Sequence, residues 1–335
     1  MKSRCIAALA LLTALALAGC SGAHDEIVIK FSHVVTPDTP KGMAAERFRQ
    51  LAEARTGGRV KVRVYPNSQL YKDKEELEAL QLGAVQMLAP SLAKIGALGV
   101  REFEAFDLPY LFDSYASLHK VTDGPLGRRL LARLESRGIR GLAFWDNGFK
   151  DFSANRPLRT PADFKGLKMR IQGSTVLEEQ MRALGAQPQV IAFSEAYPAL
   201  AAGVVDGTEN PPSNLYTQNM HRVQRHLTRS QHGYLGYVVI VNKKFWDDLP
   251  RDVRTILEGA MRDATAYANR IAKDENDKDL ALIRASGLTV VHEPTPAERA
   301  ALRRALLPVH ATMADYIGRD VLDALYRETG FTAGR

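Results

Sequence analysis

Apolar and polar residues alternate with a period of two in three early segments. EIVIKFSHVV (26–35) puts Ile27, Ile29 and Phe31 on one face, and RVKVRVYP (59–66) does the same with Val60, Val62 and Val64. AVQMLAP (84–90) is a third, shorter run. That period marks half-buried strands. The segments between them read as helices. Thr39-Pro40 supplies an N-cap and a proline at the first helical position, and KGMAAERFRQLAEART runs on to a stop at Gly57-Gly58. Asp73 reads as the cap of DKEELEALQLG. A β-α-β-α-β start predicts a mostly parallel sheet covered by helices.

The same grammar returns after residue 140. GLAFW (141–145) is strand-like, Thr160-Pro161-Ala162-Asp163 opens a short helix, and GLKMRIQG (166–173) alternates Leu167, Met169 and Ile171 with Lys168, Arg170 and Gln172. The helix STVLEEQMRALG, the strand QPQVIAF, the helix SEAYPALAAG and the strand GYLGYVVIV follow. Two α/β units are predicted, with the chain crossing between them near residues 147 and 235. From Pro250 to Ser286 the spacing changes: Val253, Ile256, Leu257, Ala260, Met261, Ala264, Ala268 and Ile271 recur at helical intervals. At ~1.5 Å per residue such a helix is roughly 50 Å long, enough to run along both units. Thr295-Pro296-Ala297-Glu298 has capping-box spacing and opens a last helix.

Composition narrows the class. The chain has 335 residues, 45% of them apolar and 25% charged, in the range of an ordinary globular protein. Its start is different. Lys2 and Arg4 precede a short apolar run from Ile6 to Gly19, which reads as an export signal occupying residues 1–23. Two cuts compete: before Cys20, whose thiol would then carry a lipid anchor, or before His24. Both place the mature protein outside the cytoplasm, in the periplasm. Cys5 and Cys20 are the only cysteines, so the folded part has no disulfide and no thiolate chemistry. The net charge of +7 falls by the two of Lys2 and Arg4 to +5. No run of five or six Lys/Arg occurs, which argues against nucleic acid as a partner.

Motifs for catalysis are missing. There is no G-x-S-x-G, P-loop, G-x-G-x-x-G or H-E-x-x-H, so no enzyme activity, cofactor or metal is expected. An exported pair of α/β units without such motifs suits ligand binding in a cleft between them. Three places carry candidate chemistry. Arg170 is either a solvated strand residue or an anion clamp whose planar fork matches a carboxylate. Asn210 in DGTENPPSN (206–214) sits either in a plain polar turn or on a loop stiffened by Pro211-Pro212. Lys150 in WDNGFK (145–150) is either a loop lysine or a cation beside the crossing.

The string GLKMRIQGSTVLEEQMRALGAQPQVIAFSEAYPALAAGVVDGTENPPSNLY resembles the core motif of the solute-binding subunits of tripartite ATP-independent periplasmic (TRAP) transporters, and the resemblance spans residues 26–332. FSHVV, YPNSQLYKDKEE, GAVQMLAPS, FDLPYLF and AFWDNGFK resemble the branch that binds the C4-dicarboxylates succinate, fumarate and malate. The resemblance implies an α/β fold of two lobes, each a mixed sheet flanked by helices, with a long helix spanning both. Lobe I would hold residues 24–147 and 236–275, and lobe II residues 148–235 and 276–335. It implies a monomer that delivers a small-molecule ligand to the small and large transmembrane permease subunits of a TRAP transporter.

By the same resemblance Arg170 pairs with the ligand carboxylate, Asn210 contacts that carboxylate, and Phe193 packs over the ligand. Lys150, Ser91 and Lys94 stand where sialic-acid binders of the family carry arginine, glutamate and arginine. Those departures fit a smaller ligand with two negative ends. The second end needs a cation: Lys150 and Lys94 are the first candidates, Lys72 the next, with His33 and Ser91 as neutral donors. Trp145 and Tyr237 serve either as cleft walls or as core. Two alternatives share the fold: a receptor for another organic acid (2-oxo or aromatic), and a receptor that presents ligand to a sensor kinase.

Overall fold

In the computed structural model, residues 26–332 are described; the expected export signal, with its Cys20 and His24 cut sites, lies outside them. Among the described residues nine strands run in chain order: β1 (Ile27–Ser32), β2 (Val60–Tyr65), β3 (Met87–Leu88), β4 (Ile139–Ala154), β5 (Lys168–Ile171), β6 (Gln187–Val190), β7 (Gly207–Asn210), β8 (His226–Asn242) and β9 (Val290–His292). They hydrogen-bond in the order β2-β1-β3-β8-β4-β7-β5-β6, with β9 on β8. β1 pairs in parallel with β2 and β3, and β5 with β6 and β7. These are the two α/β units. What joins them is the antiparallel pair β4–β8.

That pair departs from the sequence reading. GLAFW is expected to end and GYLGYVVIV to begin near the crossing, yet β4 is 16 residues long and β8 is 17. The stretch Asp146–Lys150, with three polar residues and Gly148, stays in the strand because its polar groups find partners inside the protein. Asn147 donates to Tyr237 Oη at 2.7 Å, and Lys150 donates to Glu209 at 2.8 Å. Register shifts between Asp146 and Gly148 and between Lys150 and Phe152 mark bulges where the ribbon passes from one lobe to the other. The two sheets are therefore continuous.

The helix Arg251–Ser286 braces the ribbon. Its first half buries Leu257, Met261 and Ala264 in the core that also holds Phe31, Trp145 and Val239; its last turns put Leu280 and Ile283 beside Phe193 and Leu200. In between, Asn276 donates to the carbonyl of Asn147 at 2.8 Å and accepts the N–H of Ser213 at 3.0 Å. A Cβ on Gly148 would lie 2.8 Å from the Asn276 amide, so only glycine lets the helix come this close. The local caps match the sequence reading: Thr39 accepts from the N–H of Gly42, and Thr295 with Glu298 forms a capping box.

The C-terminal region divides. The helix Pro296–Leu306 packs with Phe164, Met169 and Leu177, within the expected lobe II. Val309, Met313, Ile317, Val321 and Leu325 instead share a core with Leu118, Leu130 and Phe144. The expected assignment of 276–335 to lobe II thus fails beyond the helix Pro296–Leu306, because the apolar face of Arg319–Thr329 is buried against Tyr115–Thr122. His310 pins this return: Nε2 lies 2.7 Å from the carbonyl of Pro109 and Nδ1 2.9 Å from Tyr326 Oη.

Burial lowers the pKa of His310 from 6.5 to about 4. The folded protein thus binds this proton less readily than the unfolded chain, and stability is lost as pH falls from 6.5 toward 4. Over that window His310 contributes a slope of about 1.4 kcal/mol per pH unit at most. Urea unfolding of wild type and His310→Gln from pH 7.5 to 4.5 should show the flatter profile in the variant; parallel profiles would exclude this role.

Candidate functional site

A narrow cavity lies between the lobes. One side is made by Val34 and Val35 after β1, Ser91 and Lys94 after β3, and Leu235 and Tyr237 of β8; the other by Gln172, Phe193, Asn210 and Asn214. A larger cavity, about 770 Å³, lies between Tyr115, Lys273 and Arg299. The smaller one is lined by Lys94 and by the amides of Gln172, Asn210 and Asn214, donors that an anion can use.

Arg170 is not itself in the wall but lies against the wall residue Phe193. In β5 only Lys168 faces solvent; Met169, Arg170 and Ile171 are buried. The Arg170 Nε donates to the carbonyl of Ile191 at 2.9 Å, while Nη2 is buried without a partner. The guanidinium carbon lies 5.6 Å from the Phe193 ring centroid, a cation–π contact. Burial lowers the Arg170 pKa, and the fields of Asp73 and Glu209 act against that. A buried charged donor left unpaired costs on the order of 1–3 kcal/mol or more, which an anion in the cavity would remove.

Asn210 ends β7, directly before Pro211-Pro212 and the helix Pro212–Thr217. Its amide donates to Thr208 Oγ1 at 3.3 Å and its oxygen accepts from Asn214 at 3.4 Å. Asn214 also takes a 2.9 Å hydrogen bond from Asn147 at the crossing. Tyr237 lines the cavity with its hydroxyl held by Asn147, and Ser91 Oγ is buried there without a partner.

Cations gather at the lobe I side. Lys94 forms an ion pair with Asp73. Lys41, at the start of the helix Pro40–Arg55, donates to the carbonyl of Ala89 at 3.0 Å and lies 3.9 Å from the Tyr237 ring centroid. Burial and then the nearby Lys94 charge push its pKa down to about 7. Burial raises Glu76 to about 7, against the pull of Lys94 and Lys41.

Other sequence candidates stand apart from the cavity walls. Lys150 is fully buried under β7, 2.8 Å from Glu209 and 3.6 Å from Asp107. Burial would raise the Glu209 pKa, but Lys150 and His232 outweigh it and hold that carboxyl down at about 2. This ammonium already has its counter-ions, which corrects its placement at the ligand. Trp145 is core: it packs 6.0 Å from Phe31 and donates to Thr265 at 2.9 Å. His33 is buried behind the wall, its pKa lowered to about 3 by burial and Lys41, and both ring nitrogens lack partners. Lys72 is half-exposed and pairs with Glu195 at 2.7 Å.

Sequence reasoning missed Lys41, Asp73, Asn147, Gln172 and Asn214. Asn147 and Asn214 lie inside quoted segments, where an asparagine amid glycine or proline reads as turn chemistry. Lys41 reads as an ordinary helix-start charge.

Residues 31–316 match the family described as bacterial extracellular solute-binding protein, family 7. The chain belongs to that family. It is 63% identical over 330 residues to the C4-dicarboxylate-binding periplasmic protein DctP of Rhodobacter capsulatus, covering 98% of this chain and 99% of that one. Two solved TRAP periplasmic solute-binding proteins are similar at 43% identity. That from Sulfurospirillum deleyianum, with bound succinate, superposes with a TM-score of 0.87, covering 90% of this chain and 98% of its own. That from Pseudomonas aeruginosa, with bound L-malate, gives 0.83, covering 85% and 99%. The two-lobed fold and long bracing helix are thus those of family 7 solute-binding proteins.

Lys150→Met would leave Asp107 and Glu209 buried with less compensation, a change worth about 3–5 kcal/mol of stability. A lower urea midpoint for the variant is the expected result. A wild-type midpoint with lost ligand binding would instead return Lys150 to the ligand.

Proposed function

We propose that this protein is an extracytoplasmic receptor that binds a C4-dicarboxylate (succinate, malate or fumarate) in the interlobe cavity and delivers it to the small and large subunits of a TRAP permease. A place among transport receptors and a periplasmic location come with the family. The export signal, cut either before a lipid-bearing Cys20 or before His24, and the monomeric state are part of the proposal. The observation that carries the ligand class is the buried, unpartnered Arg170 Nη2 against Phe193, a residue of the cavity wall. One carboxylate takes the Arg170 fork and the Asn210 amide; the other faces Lys94 and Lys41.

A second reading rests on the Lys94–Asp73 pair. With Lys94 already neutralised, a ligand with one carboxylate, such as a 2-oxo or aromatic acid, would fit the remaining charge. Lys94→Ala separates the two: it weakens a dicarboxylate and leaves a monocarboxylate unchanged.

Calorimetry on protein refolded free of ligand, with succinate, malate, fumarate, pyruvate, glutamate and sialic acid, tests the ligand class. Heat from the three C4 acids supports it; binding of another acid with none from these ends it. Arg170→Lys keeps the charge but loses the fork, and should weaken binding by about 1.5–3 kcal/mol, roughly ten- to a hundredfold. An unchanged dissociation constant would remove Arg170 from the site.

A further inference from the structure

Asp73 was expected to cap its own helix. The structure makes Lys72 the cap and Asp73 the first residue of the helix Asp73–Gln81. Its carboxylate crosses to the other lobe instead. Oδ2 accepts the backbone N–H of Phe193 at 2.6 Å, while Oδ1 meets the Lys94 ammonium. Phe193 is the first residue of the helix Phe193–Ala201, and the residue at the N-cap position is Ala192, which has no side-chain acceptor. The first N–H groups of a helix have no partner within it, and a capping carboxylate is favoured there. The cap that this helix lacks in its own lobe is provided by an acid of the facing lobe.

We infer that Asp73 is an interlobe latch: a helix cap assembled across the cleft that forms only on closure and sets how fast a bound ligand leaves. The inference rests on reading the cavity as the ligand site. Three features support it. Asp73 and Lys94 side chains are only 13% and 9% exposed, so their hydrogen bonds are shielded from water. The latched residue, Phe193, lines the cavity and stacks on Arg170, so closure and ligand position are coupled through one residue. The neighbouring interlobe pair Lys72–Glu195 is about half exposed on both sides and is the kind that contributes little.

The test uses the full mature protein and stopped-flow binding of succinate. Asp73→Asn and Asp73→Ala both free Lys94 from its counter-charge, but only alanine removes the acceptor for the Phe193 N–H. Release from Asp73→Ala should be about fivefold or more faster than from Asp73→Asn, with entry rates equal to within about twofold. Lys72→Ala should change release by about threefold or less. In amide exchange of the liganded proteins, the Phe193 N–H should be protected in wild type and Asp73→Asn and lose protection in Asp73→Ala. Equal release rates for the two Asp73 variants, or unchanged Phe193 exchange, would overturn the latch. If wild type binds a different acid, the dicarboxylate reading falls, and the same comparison with that acid still decides the latch.

Discussion

The ribbon of β4 and β8 is the constraint on which the rest hangs. Two strands of 16 and 17 residues pass from lobe to lobe side by side, with Gly148 paired to Leu235 at the crossing. Every other strand of lobe II reaches lobe I only through them, β7 on β4 and β5 on β7. Asn210 and Arg170 are therefore placed relative to Tyr237 and Lys94 by backbone hydrogen bonds as well as by side-chain packing. The long helix fastens to this ribbon at Asn276, whose amide touches the crossing strand and the Ser213 backbone at once.

Beneath the site the ribbon carries a buried ionic layer. Glu209 pairs with Lys150 and with His232, Asp107 lies 3.6 Å from Lys150, and His232 stacks on Phe152 at 3.6 Å between centroids. Such groups are tolerated in an interior only when each is paired. Arg170 also has a donor without a partner, its Nη2. The two cations differ: Lys150 has two carboxylates within 3.6 Å, whereas Arg170 keeps a donor for a guest.

Much of the fold was legible because it is written locally. The alternation of β1, β2 and β5, the Thr39 and Thr295 caps and the spacing of Arg251–Ser286 all depend on residues a few positions apart. What was not legible depends on partners far along the chain. WDNGFK reads as a loop until Glu209, Tyr237 and Asn276 are beside it. Lys150 reads as a ligand cation until Asp107 and Glu209 appear, and Asp73 as a cap for its own helix until Phe193 does. The return of residues 308–329 to lobe I follows from one amphipathic face, which a sequence shows without showing which neighbour covers it.

The burial of Arg170 has a consequence for what the cavity admits. Its guanidinium has lost most of its water and cannot adapt by giving up its proton in the working pH range, as a lysine or histidine would. A guest that arrives as a neutral acid, amide or ester leaves that charge stranded, whatever its shape. In the proposed reading the receptor therefore sorts by ionisation before it sorts by outline: the same carbon skeleton is a guest above its own pKa and a stranger below it.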